Sequence, residues 1–210
     1  MAILNRAALR PTKMELLTQW LPDQPWFKEG ESANLQRVGA FRFDDPDGEV
    51  GIETLLVAVK GAVFQVPLTY RGSPMHGADA WLVGTMQHSV LGKRWIYDAC
   101  ADPVYAAALA ATILTGQAQA EELSEVDGRL EAIAGSVHVE STGTLEARVP
   151  SVCSAVPVTA DGVTTIQTGE LDLSVFRVLN LDGRIFGART LTGTWEEQTS
   201  PVQIASVVRV

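Results

Sequence analysis

The chain has 210 residues, 46% of them apolar, and its 16 Lys and Arg face 25 Asp and Glu for a formal net charge of −9. That length makes one large domain or two small ones, and the apolar fraction is too high for a disordered chain. The negative excess repels phosphate backbones and anionic bilayers, which argues against nucleic-acid and membrane partners.

The first residues, Met1 to Arg6, lack a charged region followed by an apolar one, so no export signal is expected. The longest mostly apolar stretch, around Ala106 to Leu114, is too short and too alanine-rich to span a bilayer, and a cytoplasmic location is expected. Pro11 and Thr12 open the first predicted helix, and Glu15 stands three residues after Thr12 as in a capping box. Leu16, Leu17, Trp20 and Leu21 form its apolar stripe, Pro22 and Pro25 end it, and Trp26 and Phe27 read as docking anchors.

A β-meander is predicted next. Residues 35–43 alternate, Asp44 to Gly48 is turn material, 49–59 is a long apolar strand, and Lys60-Gly61 signals a hairpin into 62–71. After a Gly/Pro loop at 72–78, residues 79–90 and 94–99 form another hairpin. Short connections imply antiparallel neighbours. Asp102 and Pro103 are the N-cap and first position of a second helix, which either ends at Gly116 or resumes through Leu123 to Asp127-Gly128. The remainder is mainly β, with turns at Ser141–Gly143, Asp161-Gly162 and Asp182-Gly183 and a strand after Gly143. The expected fold class is α+β, with helices packed on a curved antiparallel sheet and a second, mainly antiparallel β part.

Only two cysteines occur, Cys100 and Cys153, far apart and without metal spacing; each is expected to be a buried free thiol. No Walker loop, no G-x-G-x-x-G and no metal motif occurs, so no cofactor and no metal are expected. Glu53 lies in a strand that is apolar on both faces, where a carboxylate must be paired or protonated. It is either a ligand-binding acid or the partner of Arg71, Arg94 or His88. Tyr70 and Arg71 combine an aromatic ring with a cation, as interface and ligand anchors do. His88 ends a strand and reads first as a structural residue. Ser154 and Ser174 have no His/Asp arrangement near them in sequence, and the five tryptophans read as core.

Residues 11–17, Trp20 to Pro22, Gln24 to Phe27, Pro67-Leu-Thr-Tyr-Arg-Gly72, Ala78 to Trp81, and His88 to Gly92 through Trp95 and Tyr97-Asp98 resemble the N-terminal cap domain of maltokinases and related actinobacterial sugar kinases. They resemble even more closely the stand-alone proteins that carry only a cap-like domain. The resemblance implies a cystatin-like cap over residues 1–105: a curved antiparallel sheet wrapped by helices. Thr142 to Pro150 and the hairpin 163–179 are similar to the small kinase lobe that follows the cap, so 106–210 is expected to be a helix plus a degenerate small lobe. In such kinases the strand matching Glu170 to Leu179 carries the ATP-binding lysine; here Ser174 occupies that position. Serine supplies no cation for the α/β-phosphates, and no catalytic lobe with metal-binding acids lies within these residues.

The resemblance therefore implies a non-catalytic accessory or interaction module tied to α-glucan, maltose or trehalose metabolism. A sugar kinase or an α-glucan enzyme is the implied partner. The alternative is a small-ligand protein that binds a nucleotide or an oligosaccharide on its concave sheet. The sequence leaves a homo-oligomer open.

Overall fold

A computed structural model describes residues 2–4, 8–28, 34–126, 129–133 and 135–210. In chain order, the strands and helices of its first half are β1 (Ala2–Leu4), β2 (Leu9–Arg10), α1 (Lys13–Trp20), β3 (Gln36–Phe43), β4 (Gly51–Val59), β5 (Ala62–Arg71), β6 (Leu82–His88), β7 (Gly92–Asp98) and α2 (Pro103–Thr115). The second half has β8 (Glu122–Val126), β9 (Arg129–Ile133), β10 (Val137–Ser141), β11 (Val156–Ala160), β12 (Val163–Gln167), β13 (Leu171–Phe176), β14 (Thr190–Trp195) and β15 (Gln198–Arg209). The class is α+β with few helices. A first six-stranded antiparallel sheet runs β2-β6-β7-β5-β4-β3, and a second runs β10-β14-β15-β13-β12-β11. The strands β1, β8 and β9 form a small third sheet in which β1 and β8 are parallel.

Local chemistry explains the elements. Thr12 Oγ1 accepts from the Glu15 amide at 3.2 Å while the Glu15 carboxylate accepts from the Thr12 amide at 2.7 Å, which closes the capping box of α1. Leu16, Leu17 and Leu21 are buried against one face of the first sheet. Lys60 and Gly61, at φ 50° and 84°, turn β4 into β5 as a left-handed pair, and Asp161 and Gly162, at 49° and 77°, do the same between β11 and β12.

The strand β4 is buried on both sides because both faces of the first sheet are covered. Leu55, Val57 and Val59 face the α1 layer, whereas Ile52 and Leu56 join a core with α2 and the second sheet. Helix α2 is apolar nearly all round, as a helix enclosed between two sheets requires. Asp102 caps its start by accepting from the Val104 amide at 3.0 Å, and Gly116, at φ 74°, ends it in the left-handed conformation. The chain does not resume as helix: Glu122–Val126 is a strand, while Asp127-Gly128 lies outside the described residues.

The two large sheets are stitched together at β5. The strand β7 pairs with β5 only from Leu68 to Arg71, and the chain leaving β13 takes over the same edge lower down. There the Gln65 amide donates to the Arg177 carbonyl and the Leu179 amide donates to the Val63 carbonyl, each at 2.9 Å. Pro67 stands between these two partners, where an outward N–H would meet the fork between the strands. Proline has none to leave unsatisfied. A proline in an inner strand thus marks the place where the sheet changes neighbours.

The loop after β10 departs from expectation. No strand follows Gly143; residues 142–155 are irregular until β11. A Cβ on Gly143 would stand 2.5 Å from the Ile113 carbonyl oxygen, and the Thr144 amide donates to Leu114 O at 2.9 Å. The loop satisfies an orphan carbonyl at the end of α2, and only glycine permits that approach.

Candidate functional site

Three ionic clusters hold the chemistry-bearing side chains of the first sheet. The first is centred on Glu53, 2% exposed, on the α1 face of β4. Its Oε2 accepts from Lys13 Nζ at 2.5 Å and from the Tyr70 hydroxyl at 2.7 Å, and its Oε1 accepts from Arg42 Nη2 at 2.9 Å. The register places Arg42 directly opposite Glu53 on β3, and α1 lays Lys13 over the same spot. Burial pushes the Glu53 carboxyl up, but the Lys13 ammonium and the Arg42 guanidinium outweigh it and hold the pKa at about 2. Burial and then the Glu53 charge drive the Tyr70 hydroxyl well above its ordinary value. Lys13 moves the other way: its own burial outweighs the pull of Glu53 and lowers its pKa. With three donors on its two oxygens, the carboxylate is the member the cluster stabilises.

The second cluster is on the opposite face. Arg71 donates from Nε and Nη2 to Asp102 at 2.7 and 2.6 Å, a bidentate pair that also fixes the N-cap of α2. The hydrogen bonds to Asp102 raise the Arg71 pKa further.

The third cluster joins the two sheets. Arg177 is fully buried just beyond β13, and its Nη2 donates to both oxygens of Asp98, at 2.8 and 2.6 Å, at the end of β7. Its Nε donates to Thr164 Oγ1 at 2.8 Å, and the Trp26 ring lies 5.0 Å from the guanidinium carbon. The Cys100 thiol beside this pair is fully buried among the core, and its pKa is pushed well above its ordinary value, first by burial.

The expected partners of Glu53 are corrected by this geometry. Arg71 is turned to the other face and belongs to Asp102. Arg94 packs beside Gly72, its Nη1 2.7 Å from where a Cβ would stand. His88 accepts from the Val90 and Leu91 amides through Nδ1, at 3.2 and 3.1 Å, and caps the β6–β7 turn. Its pKa is lowered, chiefly by burial. Glu53 and Tyr70 come together; Arg71 and His88 do not join them. Lys13 and Arg42 were missed because neither is close to Glu53 in sequence; strand pairing across Asp44–Gly48 held the signal for Arg42.

Ser174 lies on the outward face of β13, opposite Thr165 and Ser206 in neighbouring strands. The hydroxyl of Thr164 accepts from Arg177 Nε. Cys153 is exposed, against expectation, because the irregular segment that carries it runs over the surface. Of the tryptophans, Trp26 and Trp195 are buried, whereas Trp20, Trp81 and Trp95 are half-buried.

A hollow of about 410 Å³ opens where β3 meets the second sheet, lined by Val38, Ser136, His138, Thr194, Trp195 and Glu196 among others. Ser136 is engaged there: its Oγ accepts from the Ala40 amide at 2.8 Å. Among the described residues no group of three or more His, Cys, Asp and Glu side chains is placed to hold a metal ion, and no helix is long and apolar enough to cross a membrane.

Residues 20–102 match the maltokinase N-terminal cap domain. The matched stretch takes in β3 to β7 and runs to Asp102, the residue that caps α2. The Glu53, Arg42 and Tyr70 cluster lies inside the match, as do Arg71, Asp98 and Asp102, while Lys13 and Arg177 lie outside it and complete two of the three clusters. No curated protein matches the chain.

Proposed function

We propose that this chain is a non-catalytic accessory module, related to the N-terminal region of maltokinases, that acts by contact with a partner protein in α-glucan, maltose or trehalose metabolism. A sugar kinase or an α-glucan enzyme is the partner class. One observation carries the reading: in the cap-like domain the buried carboxylates of Glu53, Asp98 and Asp102 are each consumed in an internal ion pair. None is left poised as a general base. Ser174, at the position matched to the ATP lysine, offers a hydroxyl on an outward strand face and no cation, which further favours the reading.

The test is phosphotransfer. Purified protein with labelled ATP, Mg²⁺ and a panel of sugars is expected to give no sugar phosphate above a blank. Metal-dependent turnover overturns the proposal.

The hollow beside His138 and Glu196 supports a second reading, a small-ligand site. Both faces of the curved sheet are covered by helices, so a ligand would sit in this hollow and not on the sheet. A thermal-shift screen with ATP, maltose, trehalose and glucose phosphates separates the two. A ligand at a hundred times its dissociation constant stabilises by about 2.7 kcal/mol, and no shift across the panel disposes of the second reading for these ligands.

A further inference from the structure

The second sheet has one face on the core and one face partly open to solvent, where Thr165, Ser174 and Ser206 are half-buried. Leu171, Leu173 and Val175 of β13 point inward, and Asp172 and Ser174 point outward. The register carries this alternation across the sheet: Val158, Thr165, Ser174 and Ser206 form one outward row, and Val156, Gln167, Asp172 and Val208 the next. Over the paired stretches of β11, β12, β13 and the end of β15, Asp172 is the one outward ionisable side chain, in a chain of net charge −9.

Exposed apolar residues gather on the same side. Val156, Val158, Val178 and Val208 are 54%, 53%, 41% and 63% exposed. The loop carrying Ile185 and Phe186, 46% and 66% exposed, is tied to the sheet by Gln203, whose side chain exchanges hydrogen bonds with the Phe186 backbone at 2.7 and 2.8 Å. These six are the majority of the ten exposed large apolar residues among those described. Val156 and Val158 sit two apart on β11, and Gln167 and Asp172 separate them from Val208, so the apolar residues flank a face whose centre is Thr165, Ser174 and Gln167.

We infer that this face binds a second copy of the chain, sheet against sheet, in a closed two-fold dimer. Charge selects that occupant. Two chains of the same strong negative charge repel wherever acids are displayed, and this face is where they approach with least repulsion. A pleated face of Val, Thr and Ser can pair with itself across a two-fold axis. The edge of the same sheet is guarded by contrast: β11 is its open edge and contains Pro157, which strand edges use against strand addition.

Area sets the strength. With strands about 4.8 Å apart and outward residues about 6.7 Å apart, the face measures about 400 Å² per copy. Adding the Ile185–Phe186 loop brings the total for both copies to about 1,000 Å², the lower limit for a specific interface. An interface of that size falls in the weak, transient class, so the dimer is expected to be reversible.

Sedimentation equilibrium from low- to high-micromolar protein tests this. The mass is expected to move from one chain to two and no further. Val158→Asp and Thr165→Asp, on adjacent strands, are each expected to raise the dissociation constant about tenfold or more, with unchanged circular dichroism. Val90→Asp, in the β6–β7 turn, is expected to leave it unchanged. A wild type that stays monomeric, growth beyond two chains, or folded Asp variants that dimerise like the wild type overturns the inference.

Discussion

The two large sheets bury themselves in different ways. Both faces of the first are covered, by α1 and the Trp26–Phe27 anchor on one side and by α2 on the other. The second covers one face with the shared core and leaves the other partly open to solvent. Polar groups follow the same division. In the first sheet Glu53, Asp98 and Asp102 are drawn into ion pairs, because a charge between two covered faces has no water to turn to. In the second, Asp172, Ser174 and Thr165 sit outward and need no protein partner. The sheet inside the stretch matched to the cap domain is therefore closed, and the second sheet presents the more open face.

The sharpest way to break this comparison is at the joint between the sheets. Asp98→Ala strands the fully buried Arg177 guanidinium and is expected to lower unfolding free energy by about 3–5 kcal/mol. Urea unfolding reads this directly, and a wild-type midpoint would show that the pair does not hold the sheets together. Against a total stability of about 5–15 kcal/mol, the loss is large.

Glu53→Gln tests the closed face of the first sheet. The expected loss is smaller, about 2–3 kcal/mol, because the Lys13 and Arg42 side chains retain 24% and 15% exposure and regain some hydration. It carries a pH signature. The Glu53 pKa in the fold, about 2, lies below its ordinary 4.5, so its contribution is complete above pH 4.5 and is lost as pH falls towards 2. Wild type and Glu53→Gln should therefore converge in stability over that window. Parallel curves down to pH 2 would count against an ionised Glu53 in the fold.

The open face predicts the smallest effect. Ser174→Lys places a long, hydrated side chain outward, so unfolding of dilute protein should shift by less than about 0.5 kcal/mol. The same variant should form no sugar phosphate from ATP, since a lysine alone supplies none of the metal ligands or the acid that orients the acceptor. A large destabilisation would mean that this face is covered.

Much of the first half was legible because its signals are local. Thr12 and Glu15 announce the capping box three residues apart, Lys60-Gly61 announces its hairpin, and Asp102-Pro103 announces the start of α2. The end of α2 was half legible: Gly116 is a helix stop, but the apolar and acidic residues after it also fit a helix, and only pairing with β1 and β9 made 122–126 a strand. The buried state of Glu53 was legible from the apolar strand around it. Its partners were not, since Arg42 reaches it across a strand pair and Lys13 across a helix–sheet contact.

By itself, then, the sequence determined the caps, the turns, the two alternation patterns and the need for Glu53 to be neutralised, because each depends on neighbours within a few residues or on strand periodicity. Tertiary structure alone decided that Arg177 crosses to Asp98, that residues 177–179 complete the edge of β5 below Pro67, and that Arg71 serves Asp102. Those outcomes depend on which strand edge and which sheet face meet in space, and in an antiparallel fold that is set by long-range register, on which no short stretch of sequence reports.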